Sequence, residues 1–211
     1  MNPEELTLGI EEEYQIIDPE SRELTSYVSE FLEKGRVVFR DQAKPELLQS
    51  QIEIGSSVCR NITEARQEMT RLRRLVHEIG EKSNRRIVAA GTHPFSRWQE
   101  QDINENDRYK SLIADLQYSA RRMLGFGMHI HVGIPNRELP IDIMNQVCYF
   151  LPYILALSTS SPFWGGQNTG LKSYRSVVFP NLRRTGFPEP FISVDEYRTS
   201  AFLLWTLTLS S

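Results

Sequence analysis

Cysteine and histidine are both scarce in this chain. Its 211 residues include two cysteines and four histidines. The cysteines, Cys59 and Cys148, lack the spacing of a metal site, and a reduced, cytoplasmic protein is the simplest account. No long apolar run is present. The longest, 147–157, has about 11 residues and contains Pro152, well short of the ~20 that a membrane span needs. Met1-Asn2-Pro3-Glu4-Glu5 is acidic and lacks the basic and apolar regions of a secretory leader. A formal net charge of -3 offers no basic field for nucleic acid or an anionic membrane. Neither a P-loop nor a Gly-x-Gly-x-x-Gly dinucleotide fingerprint occurs, and there is no Gly-x-Ser-x-Gly or His-Glu-x-x-His. The remaining composition, 40% hydrophobic and 24% charged, is that of an ordinary globular protein. The length suffices for one domain with a real core, or two small ones.

What is present centres on Gly9-Ile10-Glu11-Glu12-Glu13-Tyr14-Gln15. Residues 6–17 carry few helix signals and read as a strand. Alternation puts Leu8, Ile10, Tyr14 and Ile16 on one face, interrupted only by Glu12. Thr7, Gly9, Glu11, Glu13 and Gln15 share the other. Two carboxylates two residues apart on a strand lie roughly 6–7 Å from each other, and their repulsion invites a cation or water between them. Oxygen-only ligands suit Mg2+ or Mn2+ better than zinc. A solvated strand face shows the same alternation.

Further along, Asp18-Pro19-Glu20-Ser21 reads as a turn. A short helix is expected over 26–33 and a short strand over 37–40. Residues 46–54 form a second strand candidate, with Gln49, Gln51 and Glu53 alternating against Leu48, Ser50, Ile52 and Ile54. A regular strand would point Glu46 and Glu53 to opposite faces, so a bulge or a helical first half is needed to bring both into one site. Residues 61–83 predict a helix. Asn61 with Glu64 makes its start, and Ile62, Ala65, Met69, Leu72, Val76 and Ile79 make its buried stripe. Arg66, Arg71, Arg73 and Arg74 read as a solvated face offset by Glu64, Glu68 and Glu78. His77 on this helix is expected to be structural or exposed. Residues 87–90 read as a strand leading into Gly91-Thr92-His93-Pro94-Phe95.

Residues 104–124 predict a helix buried through Tyr109, Leu112, Ile113, Leu116 and Ala120. The cleanest alternation follows at 126–134. Phe126, Met128, Ile130, Val132 and Ile134 take one face, and Gly127, His129, His131 and Gly133 the other. Two imidazoles flanked by glycines leave room for something large against the backbone. Residues 139–160 predict an apolar helix kinked at Pro152. The segment 161–190 is loop-rich, and its Gly- and Arg-rich loops suit a carboxylate or phosphate, or are ordinary connections. A last helix starts near Ser193, with Glu196 three residues on. Amphipathic strands alternating with helices argue for an α+β fold. One face of an antiparallel or mixed sheet is covered by helices, and the open face carries the acids and histidines.

Glu11, Glu13, Glu53, His129 and, with an irregular backbone, Glu46 are the set that metal-assisted phosphoryl transfer needs. Arg175 or Arg184 is placed to clamp a carboxylate or a transferring phosphoryl group. A zinc hydrolase built on His129 and His131 is the rival chemistry, but it needs further ligands in one shell, and only His77 and His93 remain.

Six segments in order resemble the bacterial type-2 glutamate–cysteine ligase family, the carboxylate–amine ligases. They are Gly-Ile-Glu-Glu-Glu-Tyr-Gln (9–15), Glu-Leu-Leu-Gln-Ser-Gln-Ile-Glu (46–53), Gly-Thr-His-Pro-Phe (91–95), Gly-Met-His-Ile-His-Val-Gly (127–133), Ser-Pro-Phe-Trp-Gly-Gly (161–166) and Arg-Thr-Gly-Phe-Pro (184–188). The resemblance runs from about residue 6 to 198. It implies a glutamine-synthetase-like antiparallel sheet that binds metal ions, ATP and an amino acid. It also implies phosphorylation of a glutamate side-chain carboxylate, followed by displacement of the phosphate by an amine such as that of cysteine, as in glutathione-type biosynthesis. By that resemblance Glu11, Glu13, Glu53 and His129 are catalytic. Glu11, Glu13, Glu46, Glu53 and His129 hold Mg2+ or Mn2+. Arg175, His131 and Arg184 face substrate.

The resemblance also has an edge. Residues 1–198 read as the N-terminal part of the ligase catalytic domain, and 199–211 as an atypical tail. The family's Trp-Asp-x-Arg-Pro and Glu-x-Arg strands and its helical C-terminal region are not matched. The alternative expectation is therefore a truncated or frame-shifted, non-catalytic remnant that keeps metal or nucleotide binding. The partners expected are amino acids and ATP, not nucleic acid or membrane, with a homo-oligomer left open.

Overall fold

The computed structural model describes residues 6–116, 121–135, 139–179 and 190–200. The chain divides into two compact units, one of residues 1–133 and 159–185, the other of 134–158 and 186–211.

The first unit is organised by strand β1 (Thr7–Ile17). Its two edges are both used. Strand β3 (Gln51–Gly55) pairs antiparallel along one edge, and the short β2 (Ala43–Pro45) pairs with β3 in turn. The other edge is shared end to end. Strand β4 (Arg86–Val88) covers Gln15–Ile17, and β5 (Met128–Gly133) covers Thr7–Glu12. Every pairing is antiparallel, so residues directly opposite share a face.

Helices α1 (Val28–Phe39) and α2 (Ile62–Lys82) cover one face. Their buried side chains Phe31, Phe39, Met69, Leu72 and Val76 meet Tyr14, Ile16, Ile52 and Ile54 from the sheet. The start of α2 is as expected: Asn61 Oδ1 accepts from the Glu64 N–H at 3.0 Å. A second cluster joins Leu47 and Leu48 to Tyr109, Leu124 and Phe126, with Ile113 packed against it. Tyr109 and Ile113 belong to α3 (Asp107–Leu116). The side chains of Leu112, Leu116 and Ala120, expected in the same stripe, lie outside the described residues.

Three local expectations are corrected. Residues 37–40 are not a strand, because α1 continues to Phe39. Val28, Phe31, Gly35 and Phe39 are buried at helical spacing, and the β-branched Val37 and Val38 simply face solvent. Gly35 is required there, since a Cβ would lie 2.5 Å from the Phe39 ring. Residues 46–50 are not strand either. Pro45 ends β2, and Leu47 and Leu48 are both buried in succession, which a strand with one open face does not allow. Glu46 thus sits in the β2–β3 connection, and the chain turn replaces the bulge. Finally, the helix at 139–160 is two, α4 (Leu139–Cys148) and α5 (Leu151–Leu157), bent by 62° with Pro152 in the first turn of α5.

These two helices belong to the second unit. Among the described residues no single helix is long and apolar enough to cross a membrane; α4 and α5 pass that test only as a bent pair. In the same unit residues 194–200 are helical. Ser193 Oγ accepts from the Glu196 N–H at 3.1 Å, and Glu196 accepts from the Ile192 N–H at 2.6 Å, so the helix start is capped by side chains.

Glu12, the acid that interrupts the apolar face of β1, is buried beneath the helices. Its carboxylate is held by Arg73 of α2, with Nε at 2.9 Å, and by the Tyr14 hydroxyl. Burial works to raise its pKa, but these bonds prevail and lower it, while burial and Glu12 together raise that of Tyr14. Arg73 is therefore not part of a purely solvated face, as its helix pattern suggested. Arg73→Met is expected to cost about 1–3 kcal/mol of stability, less than a fully buried pair because Arg73 is 59% exposed. Adding Glu12→Gln should recover part of the loss. Denaturant titration of both single variants and the double variant measures this, and strictly additive losses would show that the two residues do not couple.

Candidate active site

The face of the sheet away from α1 and α2 collects the predicted residues by register alone. Lys44, Glu53 and Glu13 form one row across β2, β3 and β1. Gly55, Glu11 and His129 form the next, and Gly9 stands opposite His131 beyond it. Residues remote in sequence are thus neighbours because antiparallel partners project together.

Their side chains are held differently. Glu11 turns toward β5, with His131 Nε2 at 3.0 Å and His129 Nδ1 at 3.2 Å. The bond to His131 leads in lowering the Glu11 pKa, assisted by His129 against partial burial. Glu13 accepts from the Gly127 N–H at 2.6 Å, and its own N–H donates to the Gly127 carbonyl at 3.0 Å. Burial nevertheless raises the Glu13 pKa, and the Glu46 charge adds to that. Glu53, 9% exposed, is pushed up to about 7 by burial, then by the charges of Glu46, Glu11 and Glu13. Glu46 therefore acts on this site from its turn.

Arg175 arrives from a different part of the chain, on the short helix α6 (Arg175–Val178). Gly127 makes room for it, since a Cβ there would lie 2.8 Å from Arg175 Nη2 and 3.4 Å from His129 Nε2. The guanidinium stacks on Phe179, 4.3 Å from the ring centre. Its Nε is buried without a hydrogen-bond partner among the described residues. Burial lowers the Arg175 pKa, opposed by the charge of Glu13. Arg184 lies outside the described residues. The remaining imidazoles are elsewhere. His77 is exposed on α2, on the helix-covered side. His93 is buried in a turn, bonded to the Arg22 carbonyl at 3.0 Å and the Ser96 N–H at 2.9 Å. Neither supplies a third ligand to a His129–His131 zinc site.

Sequence reasoning kept two loop segments separate that the fold joins. Strands β6 (Phe163–Trp164) and β7 (Gln167–Asn168) form a hairpin whose turn needs positive φ at Gly165 and Gly166. Thr92 Oγ1 donates to the Phe163 carbonyl at 2.9 Å, and the Gly166 N–H to the Pro94 carbonyl at 2.9 Å. Both segments carry glycine and aromatic residues, but nothing in their spacing signals that they meet.

Among the described residues no group of three or more acid, imidazole or thiol side chains is placed to hold a metal ion. The donor set nonetheless fits a hard divalent cation in kind. Burial, and after it the charges of the neighbouring acids, push Glu53 up to about 7, and positive charge relieves that crowding. Glu11 and Glu13 are engaged by His131, His129 and Gly127.

An antiparallel sheet with helices on one face and crowded acids on the other defines a glutamine-synthetase-like α+β fold. Two solved structures share it, each with a TM-score of 0.62 at 12% identity. One is a bifunctional glutathione synthetase from Pasteurella multocida, covering 82% of this chain and 26% of that one. The other is a glutamate–cysteine ligase from Francisella tularensis in complex with AMP, covering 81% and 42%. The chain belongs to glutamate–cysteine ligase family 2 (GCS2), whose model matches residues 7–208, reaching into the stretch 199–211. Relatives provisionally named glutamate–cysteine ligase 2 are 54% identical over 191 residues in Herpetosiphon aurantiacus and 52% over 198 in Chloroflexus aggregans. These alignments take in 90% and 94% of this chain but 50% and 51% of the relatives, so the chain spans about half their length.

The raised Glu53 pKa has a definite pH consequence. Between the ordinary carboxylate pKa of 4.5 and about 7 the folded state holds a proton that the unfolded state has lost. Stability therefore falls as pH rises through that window and levels off above it. Glu53→Gln should flatten the fall and leave the protein more stable at pH 8, on the order of 2 kcal/mol. Mn2+ at pH 8 should stabilise the wild type more than Glu53→Gln. Urea midpoints from pH 4.5 to 8.5, with and without Mn2+, measure both effects.

Proposed function

We propose that the chain carries the acid-bearing part of an ATP- and Mg2+-dependent carboxylate–amine ligase of the glutamate–cysteine type, acting on small molecules in the cytoplasm. The observation that supports this is the pairing of Glu13 with Glu53 and of Glu11 with His129 on one open sheet face, in a member of this family. Glu11, Glu13 and Glu53, with Glu46 and His129, would hold the divalent cations. Bound cations would neutralise charge on the phosphate oxygens during transfer to a carboxylate.

The protein's own contribution is positioning and charge. His129 and His131 orient the Glu11 carboxylate. The Gly127 N–H fixes Glu13. Arg175 brings a desolvated cation beside Glu13 and His129, the place for the carboxylate of an amino acid substrate or for the oxygens of a phosphoryl group. Arg184 is the second candidate for that role. Activation of a glutamate side chain as an acyl phosphate is then followed by attack of an amine, with phosphate as the leaving group.

The second reading is a non-catalytic chain that retains metal or nucleotide binding. Incubation with ATP, Mg2+, glutamate and cysteine decides between them. Release of ADP and phosphate above a Glu11→Ala/Glu13→Ala control is expected, with at least a hundredfold loss in that control. Calorimetry showing Mg-ATP bound without turnover would establish the second reading, and neither binding nor turnover would remove both.

A further inference from the structure

Away from the acid-bearing face, the start of α1 meets the end of α2 around one tyrosine. Tyr27 immediately precedes α1, and its N–H is fixed on the Gln49 carbonyl at 2.9 Å. Its half-buried ring packs against the core beneath the helices, while its hydroxyl reaches the surface. Lys34, seven residues on along α1, donates from Nζ to Tyr27 Oη at 2.8 Å and to Ser83 Oγ at 3.3 Å. Arg85, just before β4, lays its guanidinium over the Tyr27 ring, 4.6 Å from the centre.

These surroundings are cationic. Among the described residues neither Lys34 nor Arg85 has a carboxylate within salt-bridge reach, although Asp18 feels the Arg85 charge. The Arg85 Nε is buried without a hydrogen-bond partner among the described residues. An ammonium has three donors, and Tyr27 and Ser83 take two of those on Lys34. Cations near the last turn of α2 also complement that helix's dipole. The dipole accounts for their placement beside Ser83, but it does not require a phenol oxygen to take the Lys34 bond.

An ammonium bonded to a phenol oxygen favours the phenolate. The Lys34 bond leads in lowering the Tyr27 pKa, against slight burial, and Ser83 and the Arg85 charge act in the same sense. Tyr14 shows the opposite environment, since its hydroxyl donates to the Glu12 carboxylate and its pKa is raised. Tyr149 and Tyr153 are 70% and 59% exposed, and their ring partners among the described residues are aromatic.

We infer that Tyr27 is a modification site, a surface phenol activated by Lys34 to accept a phosphoryl group from an electrophilic phosphorus donor. The phenol oxygen attacks phosphorus, and the new O–P bond replaces the bond to the leaving group. That group departs with its electron pair, and the phenolic proton passes to solvent. The oxygens of the bound phosphate then face Lys34, Ser83 and Arg85, charge-assisted partners that tie the start of α1 to the α2–β4 connection. The site is independent of the ligase reading.

Labelling of the full chain with a dialkyl fluorophosphate, with fluoride as the leaving group, tests it by peptide mass spectrometry. Tyr27 is expected to label at least tenfold faster than Tyr149 or Tyr153, despite its lesser exposure. Lys34→Met should slow Tyr27 at least tenfold and leave Tyr149 and Tyr153 unchanged. Lys34→Arg should keep most of the rate, and circular dichroism melting checks that each variant folds. Phosphotyrosine installed at position 27 should raise the melting temperature, and Lys34→Met/Arg85→Met should abolish the rise. Labelling of Tyr27 no faster than of Tyr149 and Tyr153, or indifferent to Lys34→Met, would overturn the activated phenol. A melting temperature lowered or unmoved by the phosphate would overturn its seat on Lys34, Ser83 and Arg85.

Discussion

One strand, hydrogen-bonded along both edges, is the constraint from which the rest of the structure follows. β1 is long enough to pair with β3 on one side and with β4 and β5, end to end, on the other. Antiparallel pairing forces opposite residues onto one face, and alternation forces successive residues onto two. Once Tyr14 and Ile16 are buried under α1 and α2, Glu11 and Glu13 have no choice of face. Neither do Glu53 and His129, which stand opposite them.

That constraint creates an electrostatic problem. Four acids from β1, β3 and the β2–β3 turn bear on one another, and burial together with that crowding pushes Glu53 up to about 7. A fold that needed only solubility would spread such charges. Here the crowding is tolerated because the opposite face is well anchored. Glu12, buried among the helices, has Arg73 and Tyr14 as partners, so one face of β1 satisfies its acid while the other leaves its acids available. The apolar row of β5, Met128, Ile130 and Val132, lies on the helix side yet is 50–60% exposed, because the core formed by α1 and α2 stops at β1 and β3.

Much of the fold was legible in local pattern. The α2 stripe and its Asn61 cap, the alternation of β1 and β5, and the one-covered, one-open sheet all follow from side-chain period, which is a local property. Residues 37–40 misled because Val37 and Val38 suggest strand, while the burial of Phe39 against Phe31 was decisive. Residues 46–50 misled because alternation of polar and apolar residues persisted through a turn whose two leucines enter a separate core. Arg73 was hidden because its partner Glu12 lies on another element.

By itself the sequence determined which residues share a strand face, Glu11 with Glu13 and His129 with His131, since that depends only on the two-residue repeat of an extended chain. It determined family membership too, through ordered motifs. Only the tertiary structure decided that Glu53 stands opposite Glu13, that the charge of Glu46 bears on the site from a turn, and that Arg175 fills the space left by Gly127. Strand order and register are set by packing between distant segments, and no local repeat encodes them.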